Sequence, residues 1–558
     1  MRKHYERILH DSESRVQRYL DIQILDENSP FCGGFPKADS LAEPKTAIYR
    51  ATTMTACYLN PESRYYLDAE LGRRLALALA FVRRSQRPGG YFDLINCNFF
   101  SGPDTAFCTK RLLPAYVYLC KVVDGALPAA PEAKAAAAEL KPKYEAIIRD
   151  AADALCHCGF HTPNHRWAIA SVLMLCAKLF DKPECRTAAE AILKEGNDCN
   201  EDGEYAERSA GNYNRINNDA MIMLAVATGD ESYYAPVLRN LEMMLTYIDP
   251  DDSIFTNNST RWDMGKKIYP REYYLEYLYM GYTCRKPELL DAANAIMQMV
   301  ERHALRSFDC LINLMLLPEL AALEHEGSAT PTNYHKYYEG SGIVRCRRGS
   351  WSYTILNNSP SFLFFQHGDF TLTVRIGASF CEHRNFVPAT LAPKDGGYAL
   401  HQTMTGWYYL PFAEKPATSD WWQMDNAHRE KLYGPDMVFD VQVNEVENGL
   451  DIHIVNSGID RAPLRVELAF NSGCRVENEH FMLEGNDGGI VVKDGTLVAS
   501  KGVNGISVGP CFAEHNYTAG KEGSMGRMEG CFTAYLTAYS TFDRTISLRA
   551  LPSSYDQV

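Results

Sequence analysis

The apolar residues of this 558-residue chain change their period once, near Gly327, and that change constrains the fold more than any other feature. Before it, apolar residues recur at helical spacing over 46–59, 66–84, 105–123, 130–156, 165–180, 185–195, 217–227, 231–247, 271–282 and 287–303. Turn signals separate these spans, among them Arg87-Pro88-Gly89-Gly90, Ser101-Gly102-Pro103-Asp104 and Asp181-Lys182-Pro183. About ten helices with mostly short connections predict helical hairpins set in a ring or an arc, and no strict repeat marks a regular solenoid. From Gly342 on, apolar and polar residues alternate instead, as in 352–356, 370–376, 451–455 and 464–470, with turns such as Gly485-Asn486-Asp487-Gly488-Gly489 between. That pattern predicts an antiparallel β domain, most simply a sandwich. The expected organisation is therefore α+β and multidomain, with a helical domain over 1–330, a linker at 327–333 and a β domain over 335–558.

Several function classes are disfavoured at once. A net charge of -14 argues against a general nucleic-acid binder, though a local basic cleft can coexist with an acidic surface. No apolar run is long enough to span a membrane. The first residues, MRKHYERILHDSESRVQRYLDIQ, hold no apolar stretch of the secretory kind. Seventeen cysteines, odd in number and without a CxxC pair, read as reduced thiols, and the expected location is cytoplasmic. Cys156-His157-Cys158 has no second Cys/His cluster at zinc-finger spacing. Thirty-three tyrosines suit sugar stacking and equally suit a large β-rich core.

Two polar clusters bracket the helix over 165–180. His161-Thr162-Pro163-Asn164-His165-Arg166 opens it, because Pro163 stops whatever precedes and an apolar pattern starts at Trp167. Tyr205 to Tyr213, containing Glu207 and Arg208, follows the next helix. Asn, His and Arg at a helix start form a cationic, donor-rich mouth that suits an acidic ligand, although a capped helix explains the same residues. Arg261-Trp262 lies in a later loop, where Arg can hold a carboxylate or sulfate through two hydrogen bonds and Trp can stack on a ring. Asp104 reads as an N-cap of the helix beginning there, and Trp407, Trp421 and Trp422 as core or cleft residues of the β half.

The helical half, the β half, the pair Asn164-His165 and Tyr213 resemble the heparinase II/III-like and alginate-lyase-like polysaccharide lyases, which join an (α/α) toroid to a β-sandwich. Phe364-Phe365-Gln366-His367-Gly368-Asp369-Phe370 is similar to that group's His-x-Asp strand motif, but continues Thr371-Leu372 where the motif often has small residues and Ser-Phe. The resemblance implies an N-terminal (α/α) toroid of helical hairpins and β-elimination at a uronic acid. It implies catalytic roles for Asn164, His165, Tyr213 and His367, and substrate contacts from His161, Arg166, Tyr205, Glu207, Arg208, Arg261 and Trp262.

In such a reaction the substrate carboxylate must be neutralised, C5 must lose a proton to a base and O4 must gain one from an acid. Asn164 would neutralise the carboxylate, with His165 helping or acting as base. Tyr213 would be the acid at O4, and the base too when both protons lie on one face. As a base, a tyrosine needs cationic help, for which Arg208 and Arg215 are the sequence neighbours. No cofactor is expected. A structural divalent metal in the β domain, held by Asp369 with His383 or His401, is what some relatives would suggest. The expected partner is an acidic polysaccharide or oligosaccharide, with glycosaminoglycan, alginate and other uronate polymers all open, as is the oligomeric state. The alternatives are a toroid glycoside hydrolase, a uronyl C5-epimerase and a non-catalytic glycan-binding protein.

Overall fold

The computed structural model describes residues 1–39, 41–518 and 525–552. The chain divides into two compact units, Met1–Tyr247 with Asp252–Thr330, and Pro331–Val558 with Ile248–Asp251.

The first unit is helical. Its elements are α1 (Arg2–Ile22), α2 (Pro44–Leu59), α3 (Ala69–Ser85), α4 (Gly102–Val123), α5 (Pro131–Leu155), α6 (Pro163–Phe180), α7 (Pro183–Leu193), α8 (Tyr213–Thr228), α9 (Tyr234–Leu245), α10 (Tyr274–Thr283), α11 (Pro287–Arg302), α12 (Leu311–Leu316) and α13 (Pro318–Ala322). Proline stands in the first turn of α2, α4, α5, α6, α7, α11 and α13. There its missing N–H is one of the donors a helix leaves unpaired anyway, so the prolines that punctuate the sequence mark helix starts.

The pairs α2/α3, α4/α5, α6/α7 and α10/α11 pack as hairpins, while α2, α4, α6 and α8 also pack on one another in series. Helix α8 reaches α10, and α12 returns to α2 and α4, closing the ring. Alternate helices thus form an inner layer, and burial follows the layers. Inner helix α6 buries every residue from Trp167 to Met174, whereas outer helix α7 buries only Cys185 and Ala189. An inner helix must be apolar nearly all round; an outer one needs a single apolar stripe.

Three elements of this unit do not follow from the simple periodicity. Helix α1 is polar enough to pass for a tail, yet it buries Ile8 and Val16 completely. A small antiparallel hairpin, Phe92–Leu94 with Asn98–Ser101, precedes α4. The N-cap of α4 is Ser101, whose Oγ accepts the Asp104 N–H at 3.2 Å. Asp104 is therefore free of capping, and it accepts the Ser101 hydroxyl at 2.8 Å instead.

The second unit is a β-sandwich of two nine-stranded sheets. The facing sides of the sheets supply a single shared core, in which Leu372, Val374 and Leu468 of one sheet join Phe439, Val441 and Ile452 of the other. Pairing is antiparallel except where Gly488–Val491 runs parallel to Cys531–Tyr539 and where Ala513 bridges Thr537 in parallel. Ile248–Asp251 belongs to this unit because its polar groups are consumed there. The Arg345 guanidinium donates to Asp249 Oδ1 at 2.8 Å, Ser352 Oγ donates to the same oxygen at 3.1 Å, and Arg347 donates to the Ile248 and Asp249 carbonyls.

No helix among the described residues is long and apolar enough to cross a membrane.

Candidate active site at the helix N-termini of the first unit

The N-terminal turns of inner helices α2, α4, α6 and α8 meet at one end of the ring and carry the polar residues. Lys45 in α2 lies 3.3 Å from Asp104 of α4 and 5.2 Å from the centre of the Phe107 ring. Phe107 in turn meets the His165 ring of α6 edge-on at 5.9 Å. Helix N-termini present unpaired N–H groups and the positive end of the helix dipole, so their convergence favours an anionic ligand.

Asn164 is fully buried. Its amide nitrogen donates to both Glu207 oxygens, at 2.9 and 2.8 Å, and lies 2.9 Å from Thr162 Oγ1. The only unpartnered polar atom of this side chain is Oδ1, an acceptor. Glu207, 4% exposed, also pairs with Arg261 Nε at 3.3 Å. Burial raises the Glu207 pKa, against the opposing pull of the Asn164 amide and the Arg261 charge.

Arg261 is held twice more. Its own N–H donates to Ser259 Oγ, and its guanidinium lies 4.9 Å from the centre of the Tyr213 ring. Tyr213 opens α8, its backbone N–H donates to Ser209 Oγ at 3.1 Å, and its side chain is half-buried. Among the described residues no hydrogen bond to its hydroxyl is formed. Asn164, Glu207, Arg261 and Tyr213 therefore form one connected chain of contacts.

The His165 Nδ1 accepts the His161 backbone N–H at 3.3 Å, which leaves Nε2 to carry the proton of the neutral ring. Burial lowers the His165 pKa to about 4, with Asp104 working in the opposite direction. Because that value lies below the ordinary 6.5, an unfolded chain takes up a proton between these values that the folded chain refuses. The folded state should thus lose stability at this residue as pH falls from about 6.5 toward 4. His165→Gln should lose less stability than the wild type between pH 7 and pH 5 in denaturant titrations; an equal loss would mean that His165 titrates normally.

The remaining expected residues fall in several places. His161 is exposed and reaches the site through its backbone N–H. Arg166 pairs with Glu195 at 2.7 Å and stacks on Trp167 at 4.5 Å, so its charge is committed to the helix pair. Tyr205 is wholly buried, donates to Asn218 Oδ1 at 3.1 Å and has no surface to offer a sugar. Arg208 lies 3.6 Å from Glu204. Trp262 is 54% exposed beside Lys266. The cation on Tyr213 comes from the distant Arg261 rather than from either sequence neighbour; Arg215 pairs with Asp219 and Glu272. Lys45 and Phe107 escaped the sequence reading, although Lys45 carries the same signal as Arg166, a cation in a proline-initiated first helical turn.

His367 lies in the second unit, 3% exposed, with Nδ1 accepting the Gly505 N–H at 3.2 Å and 2.9 Å from the Gly505 carbonyl oxygen. Among the described residues, Asp369, His383 and His401 belong to no group of converging ligand atoms. Asp369 accepts from Asn504 at 2.8 Å and His401 pairs with Asp440 at 2.8 Å. Of the β-domain tryptophans, Trp422 is 90% exposed, and Arg429 and Lys431 lie on Trp421 and Trp407.

This architecture is the polysaccharide-lyase fold. Heparinase III superimposes with a TM-score of 0.56 at 10% identity, covering 98% of this chain and 86% of its own. A Paenibacillus xanthan lyase gives 0.55 at 8% identity, over 98% of this chain and 57% of its own. Streptomyces coelicolor A3 chondroitin AC lyase in complex with chondroitin sulphate gives 0.53 at 10% identity, over 98% and 79%. No protein-family model matches the chain, and no curated protein does either. At such identities the likeness is one of fold, and function has to be argued from the site.

Proposed function

We propose that the protein is a polysaccharide lyase that cleaves uronate-containing poly- or oligosaccharides by β-elimination, leaving a 4,5-unsaturated uronate. The observation that carries this reading is the Arg261 guanidinium on the Tyr213 ring, at the mouth formed by four helix N-termini. The contact holds the Tyr213 ring at that mouth, where its hydroxyl can serve as the acid to O4 and the base to C5.

The other residues take roles their contacts allow. His165, neutral and protonated on Nε2, acts as a hydrogen-bond donor to the substrate carboxylate or the developing enolate rather than as the base. Lys45 and the helix N-termini add positive potential for a polyanion. Burial works hardest against the Lys45 ammonium, but Asp104, Cys108 and Tyr49 together outweigh it and raise its pKa, so it stays charged. Glu207 fixes both Asn164 and Arg261. For Asn164 to neutralise the carboxylate directly, its amide has to turn away from Glu207; otherwise it serves as the link that positions this chain of contacts.

The test is ultraviolet absorbance during incubation with a panel of glycosaminoglycans, alginate and glucuronans, as polymers and as short oligosaccharides. Elimination creates a conjugated double bond that absorbs. A rising signal supports the proposal and names the substrate. New reducing ends without absorbance would replace it with hydrolysis, and deuterium uptake at C5 without cleavage would replace it with epimerisation.

A further inference from the structure

In the second unit, three side chains of metal-ligating type converge that play no part in the proposed chemistry. His335 stands on strand Asn333–Tyr338 and Cys346 on strand Ile343–Arg348, and the two are direct cross-strand partners. Glu445 comes from Lys431–Val446 in the opposite sheet. Their nearest ligand atoms, His335 Nδ1, Cys346 Sγ and one Glu445 oxygen, all lie within 4.8 Å of one another. Glu445 Oε2 is 3.8 Å from Nδ1 and 3.4 Å from Sγ. A tetrahedral zinc ion with ordinary bond lengths sets its ligand atoms about 3.4–3.6 Å apart, which the two Glu445 distances already approach.

The surroundings orient two of the three ligands. Tyr398 Oη lies 3.0 Å from His335 Nε2. With that hydrogen bond donated by Nε2, the Nδ1 lone pair points to the cluster, the arrangement that metal-bound histidines use. Arg348 holds Glu445 by Nε to Oε1 at 2.6 Å and by its terminal nitrogen to Oε2 at 3.0 Å, and Tyr353 donates to Oε2 at 3.1 Å. These bonds orient the carboxylate, and an incoming cation has to displace Arg348 or Tyr353 from Oε2. Cys346 is fully buried, so a bound ion would be shielded on that side.

We propose that His335, Cys346 and Glu445 form a zinc site that clamps the edge of one sheet to the other. Zinc suits a His, Cys and carboxylate set, with water as a fourth ligand. Binding converts the Cys346 thiol to a thiolate and releases one proton to solvent; no electron is transferred. Because Cys346 and Glu445 stand 99 residues apart, the ion would tie segments that are distant in sequence and stabilise the folded over the unfolded chain.

The test uses the full chain, stripped with a chelator, and takes Zn2+ and Co2+ as probes. Equilibrium dialysis should give one tightly bound zinc per chain, with a higher unfolding midpoint. Cobalt should produce a near-ultraviolet thiolate charge-transfer band. Cys346→Ser should remove that band. His335→Ala, a change at an exposed residue, should weaken zinc binding by more than the roughly 10–100-fold that losing a mere supporting partner costs. His480→Ala, in the exposed Glu479, His480 and Asp494 group, should leave both readings unchanged. No stoichiometric zinc binding, or binding that survives Cys346→Ser and His335→Ala undiminished, would overturn the proposal.

Discussion

Tyr213→Phe should lower turnover by about 10²–10⁴-fold, the range that a positioned acid or base contributes, while substrate binding stays within a few-fold of the wild type. The change removes one oxygen atom. It leaves the ring under Arg261 and the backbone N–H bonded to Ser209, so the fold and the cation–π contact persist. A drop in turnover without a rise in KM would therefore locate the proton transfer at the phenol. Near-normal turnover would remove Tyr213 from the chemistry and leave His165 as the group to test. Tyr205, the neighbouring tyrosine, is not a substitute, because its hydroxyl is spent on Asn218 in the interior.

Arg345→Met should destabilise the second unit by about 3–5 kcal/mol, because it leaves the buried Asp249 carboxylate without its cation. For a unit of this size that corresponds to a fall in melting temperature of about 6–20 °C. Burial raises the Asp249 pKa and Arg345 opposes that rise, so the charged carboxylate depends on the guanidinium. The double variant Arg345→Met with Asp249→Leu should recover much of the loss, since a buried ion pair replaced by apolar groups is often neutral in stability. Breaking the exposed Arg2–Glu62 pair should cost no more than about 1 kcal/mol and serves as the control. A single-variant effect as small as the control would mean that water reaches Asp249.

How far the site could be read from sequence depends on the range of the interactions. Asn164, His165 and Tyr213 stand at helix starts, and helix starts carry local signals: Pro163 in the first turn of α6, a polar cluster before an apolar run. The placement of Asn164 and His165 was legible because it is set by neighbours within a turn or two, whereas α8 opens at Tyr213, ahead of the span 217–227 that the apolar pattern marks. The pairing of Asn164 with Glu207 spans 43 residues, and no local rule connects them. The same holds for Arg261 and Tyr213: the nearer cations, Arg208 and Arg215, turn toward Glu204 and toward Asp219 and Glu272. Tyr205 and Tyr213 look alike in sequence, and only packing makes one a wholly buried core residue and the other a half-buried one.

For the fold, period alone separated helices from strands, because a buried stripe at 3.6 residues and a buried face at 2 cannot be satisfied by the same backbone. The proline-marked helix starts and the α+β division were therefore present in the sequence. The tertiary structure alone decided which helices form the inner layer, that Ser101 rather than Asp104 caps α4, that Ile248–Asp251 leaves the helical unit for the sheet carrying Arg345, and that His335 and Cys346 meet Glu445. Each of these depends on contacts between residues far apart in the chain, whose energies are set by burial and by which charges find partners, and these are fixed only when the layers close.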